Sequence, residues 1–245
     1  ASGNVVIDRR VITDAAITDS PQVVVDSQNN AHIIWSDFRN NNWELYYEKI
    51  APDGTTVVND HRLTNAPGTT ATPSVAVDAA NLYVAYEDNR DFDREIYYMK
   101  LDLNGNVLVD MRVTNARGRS ELPSIGIDSA ANAYIVYSDY RDGNAPQVYL
   151  AKVNTQGSVV FERQLTSAFG WSVQASLAVL ANNIHVVWQD HRDGNAEIYY
   201  QKRDVDGNLI GTERRLTNNP ANSAGPIAVV NGASAAHVLW QDFRD

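Results

Sequence analysis

Residues 189–200 read QDHRDGNAEIYY. Asp190, His191, Arg192 and Glu197 are side chains suited to acid–base work or metal ligation, and Tyr199 and Tyr200 could stack on a ring. The stretch is not unique, however. Its core returns as WSDFRN (35–40), YEDNRD (86–91), YSDYRD (137–142), WQDHRD (188–193) and WQDFRD (240–245). The leading aromatics Trp35, Tyr86, Tyr137, Trp188 and Trp240 are 51, 51, 51 and 52 residues apart. Two further markers keep step: RVIT (10–13), RLT (62–64), RVT (112–114), QLT (164–166) and RLT (215–217), and the runs ELYYEK, EIYYMK, QVYLAK and EIYYQK. A fixed period near 50 residues marks a propeller or another repeat array.

The units that carry these residues read as four short strands each. In the fourth, SLAVLA (176–181), IHVVWQD (184–190), AEIYYQKRD (196–204) and LIGTERRLT (209–217) are separated by Asn-Asn, Asp-Gly-Asn and VDGN turns. Alternating apolar positions rich in β-branched and aromatic residues are strand signals, and no segment sustains a helical period. The fold expected is all-β, a five-bladed β-propeller of four-stranded antiparallel blades. Its blades fall at about 21–64, 73–114, 122–166, 173–217 and 225–245, within a single domain spanning 1–245. In the first strand of each unit, small residues (Ala76, Gly126, Ala178, Ala228) alternate with larger ones, as expected of strands crowded toward an axis. Residues 4–13 match an outermost strand and would close the last blade. The strand that should follow Asp245 is missing. The natural chain is therefore expected to continue, with a three-stranded fifth blade or a strand from a neighbouring molecule as alternatives.

Composition narrows the partners. A net charge of −10 disfavours nucleic acid, no apolar run is long enough to span a bilayer, and the absence of cysteine removes disulfides and thiolate metal sites. Only 4 lysines stand against 16 arginines, and an acidic, Lys-poor, Asn- and Asp-rich chain leans toward the cell exterior.

The repeated polar residues read as a brace. Asp37, Asp88, Asp139, Asp190 and Asp242 can each fix the turn after a strand by accepting backbone N–H groups. Arg39, Arg90, Arg141, Arg192 and Arg244 can each fork between that Asp and the Glu of the next strand, namely Glu44, Glu95 or Glu197, with Gln147 in the third unit. Catalysis requires asymmetric carboxylates, which equivalent copies in a ring do not supply. The unrepeated acids Glu87, Asp93 and Glu121 are read as surface solvation. His32, His185 and His237 share a position with Tyr83 and Tyr134, which suits aromatic packing rather than a metal. DLNGN (102–106) and DVDGN (204–208) echo calcium loops, but without a bidentate acid they read as hairpin turns. No cofactor is expected.

Recognition is expected on the face shared by the D-x-R loops and the blade connections. The candidates are Arg117, Arg119, Phe169 and Trp171 on the connections, and Phe38, Tyr140, His191 and Phe243 on the D-x-R loops. The pattern W-x-D-x-R-[DN]-G-N-x-E-I-Y-Y-x-K-x-D-x-x-G-N resembles a propeller repeat common in secreted and surface proteins of bacteria and archaea, and the resemblance covers nearly the whole chain. It implies a β-propeller outside the cytoplasm and no particular activity. The sialidase pattern S-x-D-x-G-x-T-W is not present. The sequence thus points to a non-catalytic extracellular module that binds carbohydrate or protein, with neighbouring domains or self-association through the last blade. A structural subunit of a surface layer or filament is the first alternative, and a glycoside hydrolase-like enzyme the second.

Overall fold

The computed structural model describes residues 8–12, 16–143, 145–167, 169–231 and 235–244. Among these there is no helix, and every strand pairing is antiparallel. The first sheet is β1 (Thr18–Val25), β2 (Ala31–Asp37), β3 (Glu44–Ile50) and β4 (Thr56–Arg62). The second is β5 (Thr70–Val77), β6 (Asn81–Asp88), β7 (Glu95–Asp102) and β8 (Val107–Arg112). The third is β9 (Ser120–Ile127), β10 (Ala133–Asp139), β11 (Gln147–Val153) and β12 (Val159–Gln164). The fourth is β13 (Ser172–Leu180), β14 (Asn183–Asp190), β15 (Glu197–Asp204) and β16 (Arg214–Arg215), and the fifth is β17 (Ser223–Val230) with β18 (Ala236–Asp242).

The expected strand at 209–217 shrinks to Arg214–Arg215 plus an isolated bridge from Arg203 to Leu209. Gly211 takes a φ of 79°, which interrupts the extended chain, and Glu213 turns inward to Arg192 and Gln201. The N-terminal strand expected at 4–13 also needs correction. Residues 4–7 and 13 lie outside the described set, and 8–12 form no strand. Arg9 instead donates to Glu48 (3.2 Å) and Thr56 (2.9 Å) of the first sheet.

Successive side chains of a strand point to opposite faces, and here both faces of the middle strands are covered. Along β10, Ile135 and Tyr137 pack against the second sheet, whereas Tyr134 and Val136 pack against the fourth. This explains why the second strands read as nearly continuous apolar runs. The core lies between sheets: one cluster joins the first and second, another the second and third, and a third the third and fourth. Hairpins help to seal it. A Cβ at Gly105 would fall 2.6 Å from the Tyr47 ring of the preceding sheet, so only glycine fits this left-handed turn (φ 86°).

The inner strands β1, β5, β9, β13 and β17 pack side by side in that order. The small residues of these strands, expected from the sequence to crowd toward an axis, instead point into the seams between sheets at Gly126 and Ala76. A Cβ on Gly126 would meet Leu177 and Val179 of the next inner strand, and Ala76 packs against the third sheet. The small side chain is the thin edge of a wedge between sheets. Hydroxyls tie the same seam: Ser74, Ser124 and Ser176 accept N–H groups from Ile125, Leu177 and Ala228 at 3.1–3.2 Å.

Each inner strand carries a bulge near its start. There Ser20, Thr72, Leu122, Gln174 and Gly225 adopt left-handed φ values of 51°, 47°, 57°, 53° and 57°. All five line one axial cavity of about 520 Å³. The fifth sheet is the least covered: Leu239 is 60 % exposed and Trp240 39 %, while its counterparts Trp35 and Trp188 are buried.

Candidate functional site

The D-x-R segments build a layered brace. In the fourth sheet, Asp190 accepts from Trp188 Nε1 (2.8 Å), Ser172 Oγ (2.9 Å), the Arg192 backbone N–H (2.9 Å), and Arg192 Nε (2.9 Å) and Nη2 (2.6 Å). Arg192 lies 4.3 Å above the Tyr199 ring, which stacks on Trp188. Arg39 over Tyr46, Arg90 over Tyr97 and Arg141 over Tyr149 repeat the arrangement at 3.9, 4.4 and 4.1 Å. In the fifth sheet, Arg244 bonds only Asp242 among the described residues.

The expected fork of Arg to the Glu of the next strand is not what forms. Lying flat on the tyrosine, each guanidinium is carried outward, Arg39 to Asp60, Arg90 to Asp110 and Arg141 to Glu162 on the fourth strand, and Arg192 to Glu213 just before β16. Glu44, Glu95 and Glu197 belong to a second brace that the sequence reading missed. Glu44 pairs with Arg62 and Thr64, Glu95 with Arg112 and Thr114, and Glu197 with Arg215 and Thr217. Gln147 and Thr166 stand in at the third sheet, where Gln164 replaces the arginine. The recurring R-x-T marker was the available signal.

The recognition candidates are spread around one face. Phe38 tilts against Trp43 (5.4 Å), Arg119 covers Tyr140 (3.9 Å), and Trp171 tilts against His191 (6.1 Å). Phe169 is fully exposed, Phe243 half exposed, and Arg117 exposed on the connection into β9. Phe169 and Trp171 border a cavity of about 460 Å³ together with Asp142, Gln147 and Gln164.

The seams between sheets hold the departures from symmetry. One geometry recurs, made by the penultimate residue of the second strand, the residue before the third strand, and two residues of the next inner strand. Between the second and third sheets these are Glu87, Arg94, Glu121 and Leu122. Between the first and second they are Ser36, Trp43, Ala71 and Thr72. Glu87 and Glu121 are therefore not surface acids. Their side chains are 5 % and 14 % exposed, and both are bridged by Arg94, at 3.3 and 3.4 Å. Glu87 also accepts the Leu122 N–H (2.8 Å) at the wall of the axial cavity, and Arg119 reaches Glu121 at 3.1 Å. Asp93 is exposed. Asp102 and Asp204 direct their oxygens at their own turns, through Asn104 and Asn106, and Asp206 and Asn208.

His32 bonds Asp26 (3.1 Å) and Tyr47 (2.9 Å), and the equivalent Tyr83 and Tyr134 reach Asp78 and Asp128 in the same way. His237 is exposed beside Asn231. Burial pushes His32 and His185 down, against the pull of Asp26 on His32. Burial alone would raise Asp26, Asp78, Asp128 and Asp190, but the hydrogen bonds they accept hold them below the usual carboxylate range. For both classes the unfolded chain takes up protons first as pH falls, so stability is full above about pH 6.5. It is expected to decline first as His32 and His185 resist protonation, and more steeply below about pH 4 as the aspartates do. Burial raises Glu48 and Glu95, which oppose the second limb. Urea midpoints measured from pH 8 to 3 check this: His32→Tyr with His185→Tyr should flatten the first limb and leave the second.

No known family model and no curated protein matches this chain. Solved structures do. The endo-arabinase of Bacteroides thetaiotaomicron is similar at a TM-score of 0.58 and 14 % identity, over 90 % of this chain and 88 % of that one. A protein of unknown function from Dyadobacter fermentans gives 0.67 and 8 %, over 91 % and 74 %. The catalytic domain of the Coprinopsis cinerea family-62 α-L-arabinofuranosidase gives 0.53 and 14 %, over 88 % and 78 %. At such identities the likeness is one of fold, a propeller-like array of sheets. It corrects the expectation of a non-catalytic module all the same. Solved enzymes named for glycoside cleavage share this fold, so the fold gives no support to reading the chain as non-catalytic. Among the described residues no helix is long and apolar enough to cross a membrane.

Proposed function

We propose that this chain is a glycoside-active enzyme working beside the axial cavity, with Glu87 and Glu121, in the seam behind Leu122 of its wall, as the carboxyl pair. The observation that carries the reading is their asymmetry. Cleaving a glycosidic bond takes two carboxyl groups, one to protonate the leaving oxygen and one to attack or to activate water. These two acids sit in different surroundings, one sealed between sheets and holding a backbone amide, the other more open and held by Arg94 and Arg119. The D-x-R aspartates repeat the same arginine pairing in four sheets, so none of them is set apart from its copies. Phe169 and Trp171 extend the sugar-facing surface from the rim of the neighbouring seam. In this reading the five sheets close as a five-bladed propeller built from repeats of the secreted bacterial and archaeal type. The whole chain then acts as a single extracellular domain.

The test is turnover of arabinan, xylan and a panel of 4-nitrophenyl glycosides. Glu87→Gln and Glu121→Gln should each lose about 10²-fold or more, with little change in melting temperature. Asp242→Asn, in the same face, should retain activity. If the intact protein turns over none of these substrates, the reading is wrong.

A further inference from the structure

The seam between the first and second sheets is built like the Glu87 seam but is differently furnished. Ser36 replaces Glu87, Trp43 replaces Arg94, Ala71 replaces Glu121, and Thr72 replaces Leu122. Where the second seam is filled by an ion network, this one is open. A cavity of about 250 Å³ remains, and it shares Ser20 and Thr72 with the axial cavity. Ser36 and Thr72 line it, and their hydroxyls, Ser36 Oγ and Thr72 Oγ1, lie just beneath its surface with no hydrogen-bond partner. Ser36 is 1 % exposed. Buried hydroxyls without partners are costly, and a ligand hydroxyl that reached them would relieve that cost. Thr72 is also β-branched yet left-handed, with φ 47°, a conformation such residues rarely hold. The remaining wall is chemically distinct: the Trp43 indole, braced by Phe38, offers an aromatic face, and Asp19 offers an acceptor at the mouth.

An aromatic face, two unpaired hydroxyls and a peripheral carboxylate suit a neutral, polyhydroxylated ring. Such a ring has an apolar C–H face and an edge of hydroxyls that both donate and accept. A phosphate or carboxylate ligand would find no cation among the lining residues. We propose that this cavity is a subsite for one neutral sugar unit, a pentose or hexose, contiguous with the axial cavity. This inference rests on the carbohydrate reading above and assigns the subsite that holds a unit adjoining the reacting one.

The test is isothermal titration of the intact protein with L-arabinose, D-xylose, D-glucose and D-galactose, alongside turnover by the same preparations. One sugar should bind saturably, and Trp43→Ala should weaken it at least tenfold. Ser36→Ala should weaken it several-fold with the melting temperature unchanged or raised, because it removes an unpaired hydroxyl; a merely structural serine would lose stability. The triple variant S36E/W43R/A71E grafts the residues of the neighbouring seam, which this fold already accommodates, and should abolish binding. Affinity unchanged from the parent protein in W43A and the triple variant overturns the subsite, as does a sugar-soaked crystal holding only water between Ser36 and Thr72. If binding follows these variants but no glycoside is turned over, the catalytic reading falls and the subsite stands. If turnover depends on Glu87 while sugar affinity ignores Trp43, the subsite falls and the catalytic reading stands.

Discussion

Asp190→Ala is expected to lower the unfolding free energy by about 3–5 kcal/mol, whereas Asp242→Ala in the same motif should leave urea midpoints nearly unmoved. Asp190 is buried and accepts from an indole, a serine hydroxyl, a backbone amide and a guanidinium. Removing it strands all of them. Arg192 would keep only Glu213 and its stacking on Tyr199, and Trp188 Nε1 would be left unpaired in a sealed layer. Unpaired buried donors next to an uncompensated charge are among the costliest single changes. Asp242 sits in the least covered sheet, where Trp240 and Arg244 are open to water and solvent can take its place. Equal losses at the two positions would contradict the burial contrast on which this rests.

Glu197→Ala should cost about 2–4 kcal/mol, while Glu197→Gln costs about 1 kcal/mol. Glu197 is buried and serves Thr217, Arg215, Asn195 and the Asn219 amide. Alanine abandons all four. Glutamine keeps an oxygen for the threonine, as Gln147 does for Thr166 at 2.8 Å, and gives up mainly the charge opposite Arg215. Arg215 also holds Asp193 and is partly exposed, so its loss is cushioned. The third sheet shows the self-consistent neutral version, with Gln147 and Gln164 together. The double variant E197Q/R215Q should therefore be more stable than the sum of its single changes, by roughly 0.5–1 kcal/mol in a double-mutant cycle. Strict additivity would mean that the guanidinium does not sense the carboxylate.

The architecture is legible in the sequence because it depends on periodicity. Trp35, Tyr86, Tyr137 and Trp188 recur because each is a buried layer under a tyrosine and an arginine, and such packing tolerates only aromatics of similar breadth. The arginine's true partner is not legible, since it is chosen by the ring that carries the guanidinium outward. Nor are Glu87 and Glu121: departures from the repeat look like tolerated surface variation, yet these acids fill a seam between sheets. The left-handed bulges left a trace that went unread. Ser20, Thr72, Leu122 and Gly225 each precede a proline, which disfavours the right-handed helical region and withholds an N–H from the ladder at the bulge.

Those bulges have a mechanical consequence. A one-residue slip in a flat strand would turn every core side chain outward. Here the extra residue at Ser20, Thr72, Leu122, Gln174 and Gly225 is locked in a conformation that the ordinary ladder cannot absorb. Each inner strand is thereby divided into a lower length keyed to its neighbours and an upper length free to differ. Glu121 and Ala71 can exchange a carboxylate for a methyl group near the start of their strands without disturbing Ile125 or Val75 further along. The rim can be refitted while the foundation stays in step.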